Sequence, residues 1–144
     1  MPRRVINVGL VGGDKTGENL RQGGIDINAN FAELYGFAAA IPVLVPYSLA
    51  PVFDATGGGS AFFILLTGDV SSSTLIGLQP GQPVAFIIKQ DNFGGHEFVW
   101  PPNVKGAMIV SGLPGSVSSQ AFRADMFASP PNVYPVTPGV TGVA

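Results

Sequence analysis

Apolar runs in this chain rarely go far before a glycine or a proline ends them. Residues 61–67 follow Gly57-Gly58-Gly59, residues 84–89 follow Pro80-Gly81, and residues 96–100 lie between Gly94-Gly95 and Pro101-Pro102. Glycine weakens an element through its backbone freedom, and proline weakens it by fixing φ and removing an amide donor. With 20 glycines and 13 prolines in 144 residues, short strands joined by many turns are the pattern that fits. These residues punctuate apolar runs and form no low-complexity tract, so a folded body is expected in place of disorder.

The character of the chain changes along its length. Residues 5–11 suit a short strand closed by Gly12-Gly13. Thr16 can cap a helix start, with Glu18 in the first turn. Gly23-Gly24 is expected to interrupt it, since paired glycines cost about 2 kcal/mol in a helix interior. Asp26 then caps a second start, after which Ile27, Phe31, Leu34 and Ala38 recur on one face. Gly36 can stop this helix, or the run from Ala38 to Ala40 can extend it. So narrow an apolar stripe needs a partner surface, either the β body or copies of itself. Residues 41–60 read as a linker with some extended structure, because Pro42, Pro46 and Pro51 forbid a helix and disfavour a central strand.

From residue 61 the pattern is β. Residues 61–67 form a strongly apolar strand, and residues 71–75 a short one. Pro80 and Gly81 suit the centre of a type II turn. Residues 84–89 are the next strand, and the loop at residues 91–95 predicts a hairpin returning along residues 96–100. In that return, His96, Phe98 and Trp100 share one face, with Glu97 and Val99 on the other. Residues 107–110 and 119–127 follow as strands, and the proline-rich residues 129–144 as an extended arm with an edge strand near 133–136. No internal repeat is visible. The expected fold is mainly β, an antiparallel, jelly-roll-like β-sandwich over residues 51–144. A helical docking or oligomerisation segment over residues 1–50 precedes it.

Charge and residue types exclude several functions. Seven Lys and Arg residues and a net charge of −2 leave no basic footprint for nucleic acid. Without cysteine and with the single histidine His96, neither a disulfide framework nor a Cys/His metal site is expected, and no cofactor motif is present. The apolar stretch at residues 36–45 carries Pro42 and falls well short of the about 20 residues a membrane span needs, so no membrane partner is expected. Arg3 and Arg4 are followed by a run broken at Asn7 and Gly9, which is no signal peptide. Charged residues make up 11 % of the chain against 46 % hydrophobic, a balance that suits a surface largely covered by other protein.

The candidate chemical motifs read as structural. Residues 9–16 approach a phosphate-binding loop, but Asp14 stands where glycine must precede the lysine, and its carboxylate would repel phosphate. His96 has Asp91 and Glu97 nearby in sequence, yet successive strand residues point to opposite faces, so Glu97 does not share a site with His96. No serine sits in a strand–turn–helix elbow. Asp54, Asp69 and Asp125 are isolated and suit turns or edges. The chain is therefore expected not to be an enzyme. Trp100 reads as a core or rim residue, with a carbohydrate-stacking platform formed together with Tyr134 as the alternative.

Two stretches carry a resemblance. Residues 13–36, GDKTGENLRQGGIDINANFAELYG, resemble a segment that recurs in virion proteins of tailed bacteriophages, especially fibres and baseplate components. The matching positions are Thr16, Gly17, Leu20, Arg21, Ile27, Asn28, Ala29, Asn30, Phe31, Glu33, Leu34 and Tyr35. The departure is Gly23-Gly24, where many relatives continue the helix. Residues 62–106, with LTGDVSSSTL, PGQPVAFIIKQD and GGHEFVWPPNVKG, resemble a β module of phage structural proteins, and SSQAFRAD and VYPVTPG resemble its closing strands. The resemblance implies a virion structural protein, made in the host cytoplasm, that assembles as a homotrimer and contacts other capsid or tail proteins. A short fibre or fibre-base adaptor is the leading expectation. A capsid decoration protein and a carbohydrate-binding module for host attachment are the alternatives. The expected oligomer or docking interface is Ile27, Phe31, Leu34 and Tyr35.

Overall fold

The computed structural model describes residues 20–38, 41–58 and 60–143, with side chains described for all of these except residues 20 and 32–38. The expected strand at residues 5–11 and the cap at Thr16 lie outside the described residues. Among the described residues one helix, α1 (Leu20–Ala38), precedes eight strands. They are β1 (Ile41–Leu44), β2 (Val52–Asp54), β3 (Ser60–Leu66), β4 (Thr74–Ile76), β5 (Pro83–Gln90), β6 (Val117–Ala124), β7 (Val133–Pro135) and β8 (Val140–Val143). The protein is mainly β, as the turn-rich sequence predicts.

The helix runs unbroken through Gly23-Gly24, and Asp26 lies inside it, so the expected break and second cap are corrected. Gln22 Nε2 donates to Asp26 Oδ1 at 3.1 Å. This one-turn bond braces the segment that holds both glycines.

The strand pairing differs from a purely antiparallel arrangement. The large sheet has the order β1-β3-β5-β6-β7, with β8 also beside β6, and a small sheet pairs β2 with β4. β1, β3 and β5 are parallel to one another, and so are β2 and β4. Only the β6 ladders are antiparallel. Parallel neighbours need a crossover, and here each crossover carries a short strand of the second sheet. The chain from β1 to β5 therefore winds as stacked coils: β1 and β2, then β3 and β4, then β5. The third coil continues to Phe98, which bridges Val70 of the second in parallel register. Residues 41–60, expected as a linker, are the first coil, so a boundary at residue 50 cuts through it. Coil lengths differ, from Ile41 to Ser60 and then from Ser60 to Val84, which conceals any repeat in the sequence.

Alternation along the strands fills the space between the sheets. Phe62, Ile64 and Leu66 of β3, Val84, Phe86 and Ile88 of β5, and Phe122 of β6 are buried. In register they form rows: Phe62 beside Phe86, and Ile64 beside Ile88. Phe53 of the small sheet packs edge-on against Phe62 and Phe86, with ring centroids 5.3 and 5.0 Å away. Each such side chain contributes roughly 1.5–3 kcal/mol by leaving water. Phe53 thus locks the small sheet onto the large one.

The expected hairpin does not form. β5 pairs with β6, and residues 96–100 leave the large sheet to lie on the second coil, where Val70 N donates to Glu97 O and Val99 N to Val70 O. The cause lies at Asp91. Its Oδ1 accepts the amides of Phe93 and Gly94, both at 2.9 Å, and so turns the chain out of the sheet plane. Residues 107–110, expected as a strand, form no ladder of their own. The type II turn is present: Gln82 N donates to Gln79 O, and Gly81 has φ +77°.

Candidate functional site

The helix stripe comes first. Ile25, Ile27 and Phe31 are each about half exposed. Ile27 and Phe31 are one turn apart and share a face. The side chains of Leu34 and Tyr35 lie outside the described ones. Among the described residues no strand packs extensively against α1. The pattern that predicts a greasy helical edge thus corresponds to apolar side chains in contact with water.

The second candidate surface surrounds Trp100. An open groove of about 510 Å³ runs between residues 95–100 and 107–112, with Phe98, Trp100, Met108 and Ile109 in its lining. The indole N–H of Trp100 donates to the carbonyl of Met108 at 3.0 Å. Its ring packs against Phe86, Phe98 and Phe122 at centroid distances of 5.1–5.7 Å. Most of the tryptophan is therefore spent on the core. Tyr134 stands opposite Arg123 in the β6–β7 ladder. Arg123 is exposed between the buried Phe122 and Ala124, so Tyr134 lies on the outer side of the sheet. The structure does not bring Trp100 and Tyr134 onto one platform.

His96 and Asp91 do meet, Nε2 to Oδ1 at 3.1 Å. The same oxygen already accepts two backbone amides. The Gly94 amide above all, then the Phe93 amide and His96, hold the carboxyl below its ordinary value against the opposing effect of burial. An oxygen so fully engaged acts as a turn brace. Glu97 points elsewhere, and its amide donates to Asp69 Oδ1 at 2.9 Å. Among the described residues no three His, Asp or Glu side chains converge as metal ligands.

A third surface went unread in the sequence. The outward positions of the large sheet are mostly apolar: Pro42 and Leu44 of β1, Ala61, Phe63 and Leu65 of β3, Ala85 and Ile87 of β5, Ala121 of β6 and Val140 of β8. Among the described residues Lys89 and Arg123 are its only charges, and they sit at opposite ends of the strands. The signal was present in β3, whose run SAFFILL alternates in burial but not in polarity.

The chain matches no family model, no curated protein and no solved structure.

Proposed function

We propose that this chain is a non-enzymatic structural subunit of a tailed-bacteriophage particle, a short fibre or fibre-base adaptor that works as a homo-oligomer. One observation carries the assembly part: large apolar side chains stand in water on α1 and across the outer sheet face, where polar groups would serve a solitary domain. Contiguous apolar patches beyond a few hundred Å² mark interaction sites. The virion part rests on the resemblance of residues 13–36 and 62–106 to phage structural segments. Ile27 and Phe31, with Leu34 and Tyr35, are the proposed docking residues of the helix, and a trimer is the proposed state. The mechanism is geometric. Copies bury these surfaces against each other, and neighbouring capsid or tail proteins bury the remainder.

The deciding experiment localises the chain in purified particles by mass spectrometry and a density map of the virion. Density at the tail or at a fibre base supports the reading. Density spread over the capsid lattice replaces the adaptor with a decoration protein. Absence of the chain from particles defeats the virion assignment.

A further inference from the structure

The outer face of the large sheet is uneven in a way that suits a copy of itself. On its β1–β3 side Leu44 is 78 % exposed, Phe63 39 % and Leu65 45 %, and these side chains form a raised apolar ridge. On its β5–β6 side three neighbouring outward residues are small. Ala85, Ser119 and Ala121, with Ile87, Pro138 and Val140 around them, leave a dent of about 270 Å³. A cavity of about 150 Å³ already holds a benzene ring, so a phenylalanine side chain fits this one. Phe63, Ile87 and Ser119 stand in one row across β3, β5 and β6. Ridge and dent are therefore neighbours on one surface.

We propose that this face is an interface between copies of the chain, in which the ridge at Leu44, Phe63 and Leu65 of one copy seats in the dent over Ala85, Ser119 and Ala121 of the next. The inference rests on the reading of the chain as a homo-oligomer and names the surface that makes it so. The area fits. Leu44, Phe63, Leu65, Val140 and Val143 together expose about 400–540 Å², taking roughly 150–200 Å² for a whole large side chain. A standard interface buries about 800 Å² per partner, somewhat over half of it apolar. Lys89 and Arg123 flank an uncharged centre, the arrangement of an apolar interface core within a polar rim. A surface that carries both knob and hole meets its own kind without a second gene product, in a two-fold pair or a closed ring.

The chain has no cysteine, which makes thiol cross-linking a clean test. Variants Phe63→Cys and Ser119→Cys are prepared separately, distinguished by mass, mixed and oxidised. Within one chain the two positions lie two strand spacings apart, roughly 10 Å, beyond the reach of a disulfide. The expected product joins one variant to the other, in several-fold excess over like-with-like products. Equal yields, or no cross-linked product, overturn the proposal. In parallel, light scattering follows Phe63→Asp and Ile27→Asp, with circular dichroism confirming that each is folded. Dissociation of Phe63→Asp supports the face. If Phe63→Asp stays assembled while Ile27→Asp dissociates, the face is not the interface, and the homo-oligomeric reading stands on the helix alone. A wild-type monomer at every concentration overturns the inference, and the virion assignment is then decided separately by the particle map.

Discussion

Three glutamines hold the coils to the loops that leave them. Gln82 is fully buried, and its Nε2 donates to the carbonyls of Ala55 and Gly58 while its Oε1 accepts the amide of Gln79. Gln90 clamps His96 and Ser111 in the same manner, and Gln120 clamps Met108 and Thr137. A glutamine has donors and an acceptor in one group, so it satisfies two strands of backbone at once. Gln82→Leu keeps the bulk and orphans the Ala55 carbonyl and the Gln79 amide. The Ser60 hydroxyl still serves the Gly58 carbonyl. Gln79 is exposed, so water can take over its amide, whereas an orphaned buried carbonyl such as that of Ala55 costs ~1–3 kcal/mol, and chemical denaturation of Gln82→Leu is expected to show a loss of about 1–3 kcal/mol. A loss below about 1 kcal/mol, the net worth of one ordinary hydrogen bond, would mean that the buried carbonyl finds another donor. Asp91 supplies the pH dependence at this scale. Its carboxyl is held below the ordinary value in the folded state. The stability it contributes is therefore present above about pH 4, the unfolded aspartate value, and is lost as pH falls through the folded value. Asp91→Asn keeps an oxygen for both amides and takes up no proton. Its melting temperature is expected to fall less steeply below pH 4 than that of the wild type; equal acid slopes would contradict this. Asp54, held low by its bonds to the Thr56 side chain and amide, adds a second, independent step.

At the level of elements, proline placement explains which edges stay single. Val45 N donates to Phe63 O. By alternation, Val43 and Ile41 also turn their amides toward β3, while Pro42 and Leu44 face the open side. Proline there removes a donor from the β1 edge of the large sheet, a known defence against edge-to-edge pairing. Pro42→Thr restores that donor on a β-branched residue. Light scattering and thioflavin fluorescence on warming are expected to show earlier aggregation than in the wild type, and no change would mean that the edge is covered by another segment. The sequence made part of this legible. Pro42 reads as an edge signal, and the strands near 61–67, 84–89 and 133–136 fall within a residue or two of β3, β5 and β7. Alternation and turn residues are local, so local reading finds them. The departure after β5 is not legible locally, because the residues at 91–95 suit a hairpin equally well. What diverts the chain is the pair of amides on Asp91 and the stacking of Phe98 on Val70, a contact between coils. Parallel pairing was invisible for the same reason, since unequal coil lengths leave no fixed spacing to detect. The outer-face dent depends on Ala85 and Ala121 becoming neighbours, which no spacing within one strand announces.

For the whole molecule, stacked coils imply that each strand is secured chiefly by the strands on either side of it. β5 is the centre, bonded along its full length to β3 on one side and β6 on the other. β6 closes the stack by reversing direction, and β7 and β8 together cover its far edge. Among the described residues β1 has a single neighbour, β3. Amide exchange reports the free energy of the smallest opening that frees a given N–H. Opening β1 breaks one short ladder and uncovers Val43 and Val45. Opening β5 separates two ladders and the Phe62–Phe86–Phe122 aromatic stack. Hydrogen exchange followed by mass spectrometry is therefore expected to show the slowest exchange over residues 84–90, intermediate rates over residues 60–66 and 117–124, and the fastest strand exchange over residues 41–45. Residues 84–90 should exchange only on global unfolding and so track the denaturation free energy, whereas residues 41–45 should exchange through local fraying that denaturant barely accelerates. Dilution supplies the decisive comparison. The amides of β3 point along the sheet, not out of its face, so copies meeting through the outer face slow β1 and β3 by suppressing their fraying, and that extra protection must disappear as the assembly dissociates. Protection of residues 41–45 equal to that of residues 84–90 in the dissociated chain would contradict the nearest-neighbour account.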